Sequence, residues 1–332
     1  MTSSHGGVRW TRWVLGALVV AAALLLTLVV LNGIDTPRSG PEPLVTVGIA
    51  VEDLDQVDRF VERTGVTPDV VDVYKAWGDS PQFDRPLADE LADRGIIPKI
   101  TWEPWAAVPS GDPAGADQPG YALRTIIDGD HDPYIERWAG QIASYGGPVI
   151  LRFAHEMNGG WYPWGAGVND NRTGEYVAAW HHVQDVFETA GATNVLWEWA
   201  PNQESPGSAP LEPLYPGDDH VDRIGISAYN WGTNGTGEDH LRWRSFPDLV
   251  DGTLEHIGTF AGQPLGVAET GSSTMGGDRA AWIAEMFDHA LERELAFVNY
   301  FEMDTQRRWR FTDDPDAVEA FVTGFAATRG AD

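Results

Sequence analysis

The sequence predicts a (β/α)8 barrel, an α/β fold in which eight parallel strands alternate with helices. Three observations favour this fold. The chain has 332 residues, a length that is normal for one such barrel. Eight short apolar runs follow one another along it, and amphipathic helical patterns separate most of them. Alternation of this kind indicates parallel strands joined by crossover helices, and eight such units fit a closed barrel better than an open sheet.

The eight apolar runs are the predicted strands. They cover residues 44–50, 70–76, 96–102, 148–154, 194–200, 223–229, 264–268 and 297–301. The clearest helical pattern spans residues 173–190, where Tyr176, Trp180 and Phe187 share one face and Gly191 ends the helix. Further helical patterns cover residues 54–63, 133–144, 279–293 and 315–327. We therefore expect a single barrel domain over residues 44–330.

The N-terminal region carries an apolar run that predicts one transmembrane helix before the barrel. Residues 14–31 contain no charge and are just long enough to span a bilayer. Arg9 and Arg12 precede the run, which places the N-terminus inside and the body outside the cell. Because no clear cleavage motif follows, we expect an uncleaved signal anchor over residues 1–35 and a proline-bearing linker over 36–43. The alternative is a protein that is secreted after cleavage.

The composition restricts the class of partner. The chain has 22 basic and 50 acidic residues, a formal charge of −28, so it repels phosphate backbones and we expect no nucleic-acid partner. It has no cysteine, which excludes disulfides and thiolate metal sites. Its 15 tryptophans are typical of proteins that bind sugars, although we expect more than half of them in the core. A neutral partner therefore fits this chain best.

Polar residues follow several predicted strands at the end where barrels carry their chemistry. Glu156 follows the fourth strand and Glu269 follows the seventh, so the two carboxyl groups can face each other across the barrel mouth. Glycoside hydrolysis needs two carboxyl groups that flank one bond. The pair therefore predicts acid/base or nucleophilic work on a glycosidic linkage.

The residues around Glu156 resemble a known family. His155-Glu156-Met157-Asn158-Gly159, with Trp161 and Trp164 after it, resembles the signature of glycoside hydrolase family 26. That family contains mainly β-mannanases, with some β-1,3-1,4-glucanases and β-xylanases. Residues 197–202, 227–230, 268–271 and 309–310 fit the resemblance in the same order, which extends it over most of residues 44–325.

The resemblance implies roles for individual residues. Glu156 would be the general acid/base and Glu269 the nucleophile of a retaining reaction. Tyr229 would hydrogen-bond the nucleophile. Strand periodicity, and not the resemblance, indicates that Arg152 supplies positive charge beneath the site, since it lies two residues before Ala154 on the same strand face. Further substrate-binding residues are expected on the same rim, and these are His155, Trp161, Trp309, Arg310, Glu103, Trp105, Trp164, Asn202 and Trp231. Glu103 departs from the histidine-bearing sequence expected in mannanases, which favours a subsite for glucose or another hexose.

The most favoured function is that of an endo-β-1,4-mannanase that works outside the cell as a monomer without a cofactor. A β-1,3-1,4-glucanase (lichenase) and an exopolysaccharide hydrolase are alternatives within the same class. A non-catalytic, membrane-tethered glycan-binding barrel is the alternative from another class. The polysaccharide is the expected partner in each case.

Other features of the sequence have competing interpretations. We expect no metal at His155-Glu156, because a zinc-protease motif needs a second histidine where Gly159 stands. The acidic residues at 128–132 favour a helix N-cap, in which Asp132 accepts backbone N–H bonds ahead of Pro133, and a calcium loop is the alternative. Glu198 is equally compatible with an ion pair inside the barrel and with a sugar contact.

Overall fold

A computed structural model describes residues 43–108, 115–233 and 242–330. Its eight parallel strands form a closed barrel in chain order, so the predicted barrel is confirmed. The strands are β1 (Thr46–Ala50), β2 (Val70–Ala76), β3 (Ile97–Glu103), β4 (Val149–Phe153), β5 (Val195–Trp199), β6 (Arg223–Asn230), β7 (Leu265–Ser272) and β8 (Phe297–Phe301). The predicted membrane segment lies outside the described residues, among which no helix is long and apolar enough to cross a bilayer.

Eight α-helices are described around the barrel. They are α1 (Leu54–Thr64), α2 (Arg85–Asp93), α3 (Leu123–Ile127), α4 (Asp132–Tyr145), α5 (Glu175–Thr189), α6 (Phe246–Ile257), α7 (Arg279–Glu292) and α8 (Pro315–Ala327). Five of the eight coincide with the helical patterns of the sequence. The connection from β5 to β6 forms only short 3-10 turns, at Glu212–Leu214 and Asp218–His220. Five prolines lie between residues 201 and 216, and each removes a helical hydrogen bond.

Local sequence explains where most of these helices begin. A carboxylate or hydroxyl oxygen accepts a hydrogen bond from a first-turn N–H of five helices, which satisfies one donor that the helix leaves unpaired. The capping residues are Asp53, Asp84, Ser245, Asp278 and Asp314. These caps fix the residue at which each of the five helices begins.

The core has two layers of different character. Between the strands and the helices it is apolar, with large side chains such as Trp138 and Trp180 fully buried. Inside the barrel it is charged: the Lys99 ammonium lies 2.6 Å from Glu198 and 3.3 Å from Asp72, and Glu198 also pairs with Arg223 at 2.9 Å. Buried ions of this kind persist only when paired. Glu198 therefore belongs to an ion pair inside the barrel.

Two strands that carry rim carboxyl groups extend further than the apolar runs suggested. β3 includes Glu103, and β7 continues through Glu269 to Ser272. The charged residues thus lie within the strands at their carboxyl ends, where the ladder fixes the backbone. That placement gives the rim carboxyl groups a more rigid support than a loop would.

Candidate active site

Glu156 occupies a sharp turn directly after β4. Its φ is 54° and that of Ala154 is 47°, the left-handed region that residues other than glycine rarely adopt. The Glu156 amide donates a 2.7 Å hydrogen bond to the Ala200 carbonyl at the end of β5, which holds this backbone in place. Strained backbone of this kind is typical of functional sites, where the surrounding structure supports it. The turn leaves the Glu156 side chain only 8% exposed.

Glu269 follows an irregularity in β7. Ile226 of β6 pairs with Val267, but the next residue, Ser227, pairs with Glu269, so Ala268 is an extra residue in the strand. A β-bulge of this kind re-aims the side chains that follow it. Glu269 is 6% exposed and lies within the barrel mouth.

Three side chains hold the Glu269 carboxylate. The Arg152 guanidinium lies 2.5 Å from one oxygen, and the Tyr229 hydroxyl donates to the other. Burial by itself raises the pKa of Glu269, but the Arg152 charge and hydrogen bonds from Tyr229 and Tyr74 outweigh it and leave the pKa below its ordinary value. Glu269 is therefore ionised near neutral pH.

Glu156 has the opposite electrostatic character. The Asn202 amide donates to one oxygen at 2.9 Å, and the Trp161 indole donates to the other at 2.7 Å. Burial and the nearby Glu269 carboxylate raise the pKa of Glu156, and these two hydrogen bonds offset only part of that rise. The two carboxyl groups thus differ in the direction of their pKa shifts, as expected for a proton donor and an ionised nucleophile in one site.

Asn202 is itself held by a residue of the β4 turn. The Asn158 side chain accepts a hydrogen bond from the backbone N–H of Asn202 at 2.8 Å and donates one to the backbone carbonyl of Asn202 at 2.9 Å. This reciprocal pair ties the end of β5 to the turn that carries Glu156. The sequence analysis quoted Asn158 in its motif but did not select it as a site residue.

A group of aromatic rings packs on one side of Glu156. Tyr162 stacks on Trp164 with ring centroids 4.4 Å apart, and it also contacts His155 at 4.9 Å and Trp105 at 5.3 Å. Burial and the charges of Arg152 and Lys99 hold the pKa of His155 well below its ordinary range, so this histidine is neutral.

The placement of Trp164 corrects one expectation. Trp164 was selected as a substrate-binding residue, but its side chain is fully buried and its indole donates to the His155 carbonyl at 2.6 Å. A ring without exposed surface cannot stack on a sugar. Trp164 instead supports Tyr162, which is only partly buried and was missed. Tyr162 lies within the recognised motif, so its position there was the available signal.

The opposite side of the site contains Tyr229, Trp231 and Trp309. Tyr229 packs on Trp309 at 4.7 Å, and Trp231 contacts Trp309 at 5.1 Å. Trp309 is 1% exposed, so it lies behind Tyr229 and does not wall the subsite directly, contrary to expectation. The backbone of Arg310 forms two hydrogen bonds: its N–H donates to the Asp304 carboxylate, and its carbonyl accepts from the Arg279 guanidinium. The prediction that Trp231 contacts substrate stays open, because its ring is partly exposed.

Glu103 is a third carboxyl group at the mouth. It ends β3 and is 6% exposed, and no cation among the described residues forms an ion pair with it. Burial raises its pKa to about 8, although the Trp105 indole and the Arg152 charge lower it. A pKa of about 8 means that Glu103 is mostly protonated at pH 7, and a protonated carboxyl group can both donate and accept hydrogen bonds.

Tyr74 is a further site residue that the sequence analysis missed. Its hydroxyl accepts from Arg152 at 2.9 Å and contributes to lowering the pKa of Glu269. Tyr74 lies two residues after Asp72 on β2, so both side chains share the inner face of the barrel. That period of two was the signal that could have identified it.

The acidic residues at 128–132 have protein partners. Asp128 pairs with Arg124 at 2.9 Å. The prediction of an N-cap at Asp132 is wrong, because Asp132 is the first residue of α4 and its carboxylate pairs with His182 at 2.7 Å instead of capping the helix. Among residues 43–108, 115–233 and 242–330, no group of three His, Asp or Glu side chains is arranged to hold a metal ion.

The site around Glu156 and Glu269 combines a proton donor, an ionised nucleophile and partly exposed aromatic rings.

Comparisons with known proteins point to one family. The model described as Glycosyl hydrolase family 26 matches residues 115–240. Endoglucanase H of Acetivibrio thermocellus is 33% identical over 279 residues, which cover 82% of this chain and 29% of that protein. Mannan endo-1,4-beta-mannosidase of Bacillus subtilis is 30% identical over 166 residues, 48% of this chain and 40% of its own. The chain thus spans less than half the length of either curated relative.

A solved structure shares the fold over the whole barrel. A GH26 beta-mannanase from Bacteroides ovatus superimposes with a TM-score of 0.61, covering 93% of this chain and 94% of that one, at 18% identity. At this identity the likeness bears on the fold alone.

Proposed function

Because the chain belongs to glycosyl hydrolase family 26, we propose that it is a retaining, endo-acting hydrolase of a β-glycan. The observation that carries the proposal is the pair of carboxyl groups at one barrel mouth whose pKa values are shifted in opposite directions. No cofactor enters the mechanism, since Glu156 and Glu269 supply the proton and the nucleophile.

The first step forms a covalent intermediate. The Glu269 carboxylate attacks the anomeric carbon while Glu156 donates its proton to the glycosidic oxygen, and the bond between carbon and leaving oxygen breaks. The Glu269 carboxylate becomes an ester and loses its charge. Because that charge contributed to the raised pKa of Glu156, the pKa of Glu156 then falls.

The second step releases the sugar. Water attacks the anomeric carbon, Glu156 takes up a proton from it, and the ester bond to Glu269 breaks. Two inversions at one carbon give net retention. Arg152, Tyr229 and Tyr74 stabilise the carboxylate that leaves, as they stabilise it in the free enzyme.

Two polymer backbones are candidates. A β-1,4-mannan is the first, supported by the similarity to a mannan endo-1,4-beta-mannosidase. A β-glucan such as mixed-linkage β-1,3-1,4-glucan is the second. The similarity to Endoglucanase H favours it because it covers 82% of this chain, against 48% for the mannosidase. We expect two polar residues to contact sugar hydroxyls: Tyr162, which interacts electrostatically with both catalytic carboxyl groups, and Glu103, which interacts with Glu269.

The location of the enzyme is also a proposal. An uncleaved anchor at residues 14–31 would place the barrel, as a monomer, outside the cell beside its polymeric substrate, and secretion after cleavage is the alternative. The apolar run and its basic flank support this arrangement.

The experiment combines a substrate panel with one pair of variants. Wild-type protein should release reducing sugar from mannan, galactomannan or lichenan, and proton NMR should show a first-formed product of retained anomeric configuration. Glu269→Ala should lower kcat by at least about a thousandfold and leave polymer binding intact. Glu319→Ala is the control, because it removes an exposed carboxylate from α8.

The other outcomes discriminate the alternatives. Polymer binding without hydrolysis by the wild type would favour the non-catalytic barrel. Release from a bacterial exopolysaccharide alone would favour that substrate over mannan and glucan. An inverted product would exclude the nucleophilic role of Glu269.

A further inference from the structure

The bulge before Glu269 leaves its backbone partly outside the ladder. Ala268 has no paired residue in β6. On the other side of β7, Val267 pairs with Val298 of β8 and the next pair is Thr270 with Tyr300, so the pairing with β8 is interrupted at Ala268 and Glu269. A bulge of this kind leaves backbone groups that need other partners. The orientation of Glu269 therefore depends on what binds the backbone at Ala268.

Lys99 supplies that partner from another strand. Its ammonium donates a 3.0 Å hydrogen bond to the Ala268 carbonyl, although Lys99 belongs to β3 and Ala268 to β7. Strands three and seven are four positions apart in a closed ring of eight, so the side chain crosses the barrel interior. Lys99 is fully buried and takes no part in the two-step reaction above.

Two carboxylates fix the direction of the ammonium group. Glu198 lies 2.6 Å and Asp72 3.3 Å from it, so two ion pairs hold the ammonium group in addition to its hydrogen bond with the Ala268 carbonyl. A group held in this way has little freedom to move away from the Ala268 carbonyl. Arg152 and Tyr229 fix the end of the Glu269 side chain, and Lys99 fixes the backbone one residue before it.

We propose that Lys99 is a positioning residue for the nucleophile, acting through the Ala268 carbonyl at the bulge. The inference rests on the proposed hydrolase function. A displacement of about 1 Å at a reacting group can cost roughly a hundredfold in rate. Loss of the Lys99 hydrogen bond should therefore reduce kcat much more than it reduces substrate binding.

A purely structural role for Lys99 would be to neutralise Glu198, and Arg223 permits a matched comparison. Arg223 is the second cation that pairs with Glu198, at 2.9 Å, and its guanidinium packs on the Phe297 ring. Its pairing with Glu198 resembles that of Lys99, but its described contacts do not include the Ala268 carbonyl. Removing either cation together with the charge of Glu198 keeps the interior charge balanced.

The test compares two double variants of the full chain, Lys99→Met with Glu198→Gln, and Arg223→Met with Glu198→Gln. Both lose one cation and one anion, so both should fold with similar midpoints of urea unfolding. The Lys99 pair should lower kcat ten- to a hundredfold and change KM by less than about threefold. The Arg223 pair should keep kcat within about threefold of wild type.

A second variant guards against simple unfolding. Lys99→Gln is nearly as long as lysine and keeps an N–H donor without the charge, so with Glu198→Gln it should recover part of the kcat that the methionine pair loses. Equal kcat values for the Lys99→Met and Arg223→Met pairs would overturn the positioning role. If the wild type is active in the same assay, that result leaves the hydrolase function in place. A wild type inactive on every glycan would overturn both.

Discussion

Arg152 is the residue on which the ionisation of Glu269 most depends. It is fully buried, and its guanidinium contacts the Glu269 carboxylate at 2.5 Å and Thr101 at 2.8 Å. After burial, which raises the pKa of Glu269, the Arg152 charge is the largest influence on it and lowers it. The charge on the nucleophile is thus set by a side chain from a different strand.

Arg152→Met should shift the acidic limb of the pH profile of kcat/KM to higher pH. Glu269 must be ionised to attack, and without Arg152 its pKa rises, so activity is lost at a higher pH as the solution is acidified. Rate measurements between about pH 4 and 8 test this shift. Arg152→Lys, which keeps the charge, should shift the limb less. An unchanged limb in the methionine variant would contradict the assignment.

Gly159 determines where the Trp161 ring can lie. A Cβ at Gly159 would come within 2.4 Å of that ring, whose indole donates to Glu156 at 2.7 Å. Trp161 is 48% exposed. Among the described residues it is the exposed large apolar side chain that contacts Glu156. A side chain at position 159 would therefore displace Trp161 from its place in the active site.

Gly159→Ala should lower kcat about tenfold with little change in the melting temperature. The added methyl displaces Trp161, and Glu156 loses a hydrogen bond worth roughly 1–2 kcal/mol in the reaction. Because that bond lowers the pKa of Glu156, its loss should also move the alkaline limb of the profile upward. Gly160→Ala is the control, since a Cβ there meets nothing within 4 Å.

At the scale of elements, the site depends on how the ends of neighbouring strands are joined. The turn after β4 and the segment after β5 are tied together by the two hydrogen bonds between Asn158 and the Asn202 backbone. The bulge in β7 and its contact with Lys99 perform a similar task on the other side. Each catalytic carboxyl group is thus held by an element other than its own.

Asn158→Ala should lower both stability and kcat. Two buried hydrogen bonds are lost, so the free energy of unfolding should fall by about 1–3 kcal/mol, and Asn202 should hold Glu156 less firmly. Asn194→Ala is matched, because its amide donates to two backbone carbonyls, of Ile142 and Gly147, close to the start of β5. Urea unfolding should show a loss in both variants, whereas kcat should fall several-fold only in Asn158→Ala.

At the scale of the whole molecule, the barrel and the N-terminal segment are separate in sequence. Every residue assigned to the site lies between residues 74 and 310, within the part of the chain that forms the barrel. The proposed anchor at residues 14–31 contributes none of them. Catalysis and attachment should therefore be separable.

The full chain should sediment with membranes and resist extraction at high pH, and a variant without residues 1–40 should be soluble with an unchanged kcat. An apolar helix of this length is held by the bilayer, whereas the acidic barrel is not. Fractionation followed by immunoblotting and activity assay measures both. A shortened chain in the culture medium would favour the cleaved signal peptide instead.

The sequence by itself determined the repeating units of the fold and the two carboxyl groups. Apolar runs and helical periods are local, so they indicated all eight strands and five of the eight described helices. The position of Glu156 and Glu269 after predicted strands followed from the rule that strand ends carry the chemistry of a barrel. The prolines between β5 and β6 could also have excluded a helix there.

Tertiary structure alone decided which of the rim residues are accessible and how they are charged. In the sequence, Trp164 and Trp309 are tryptophans near the predicted rim, as Trp161 is. In the structure they are buried behind Tyr162 and Tyr229. The contacts that set the charge of Glu269 join residues 40 and 117 positions apart. Such contacts depend on strand register and side-chain packing across the barrel, which no local pattern encodes.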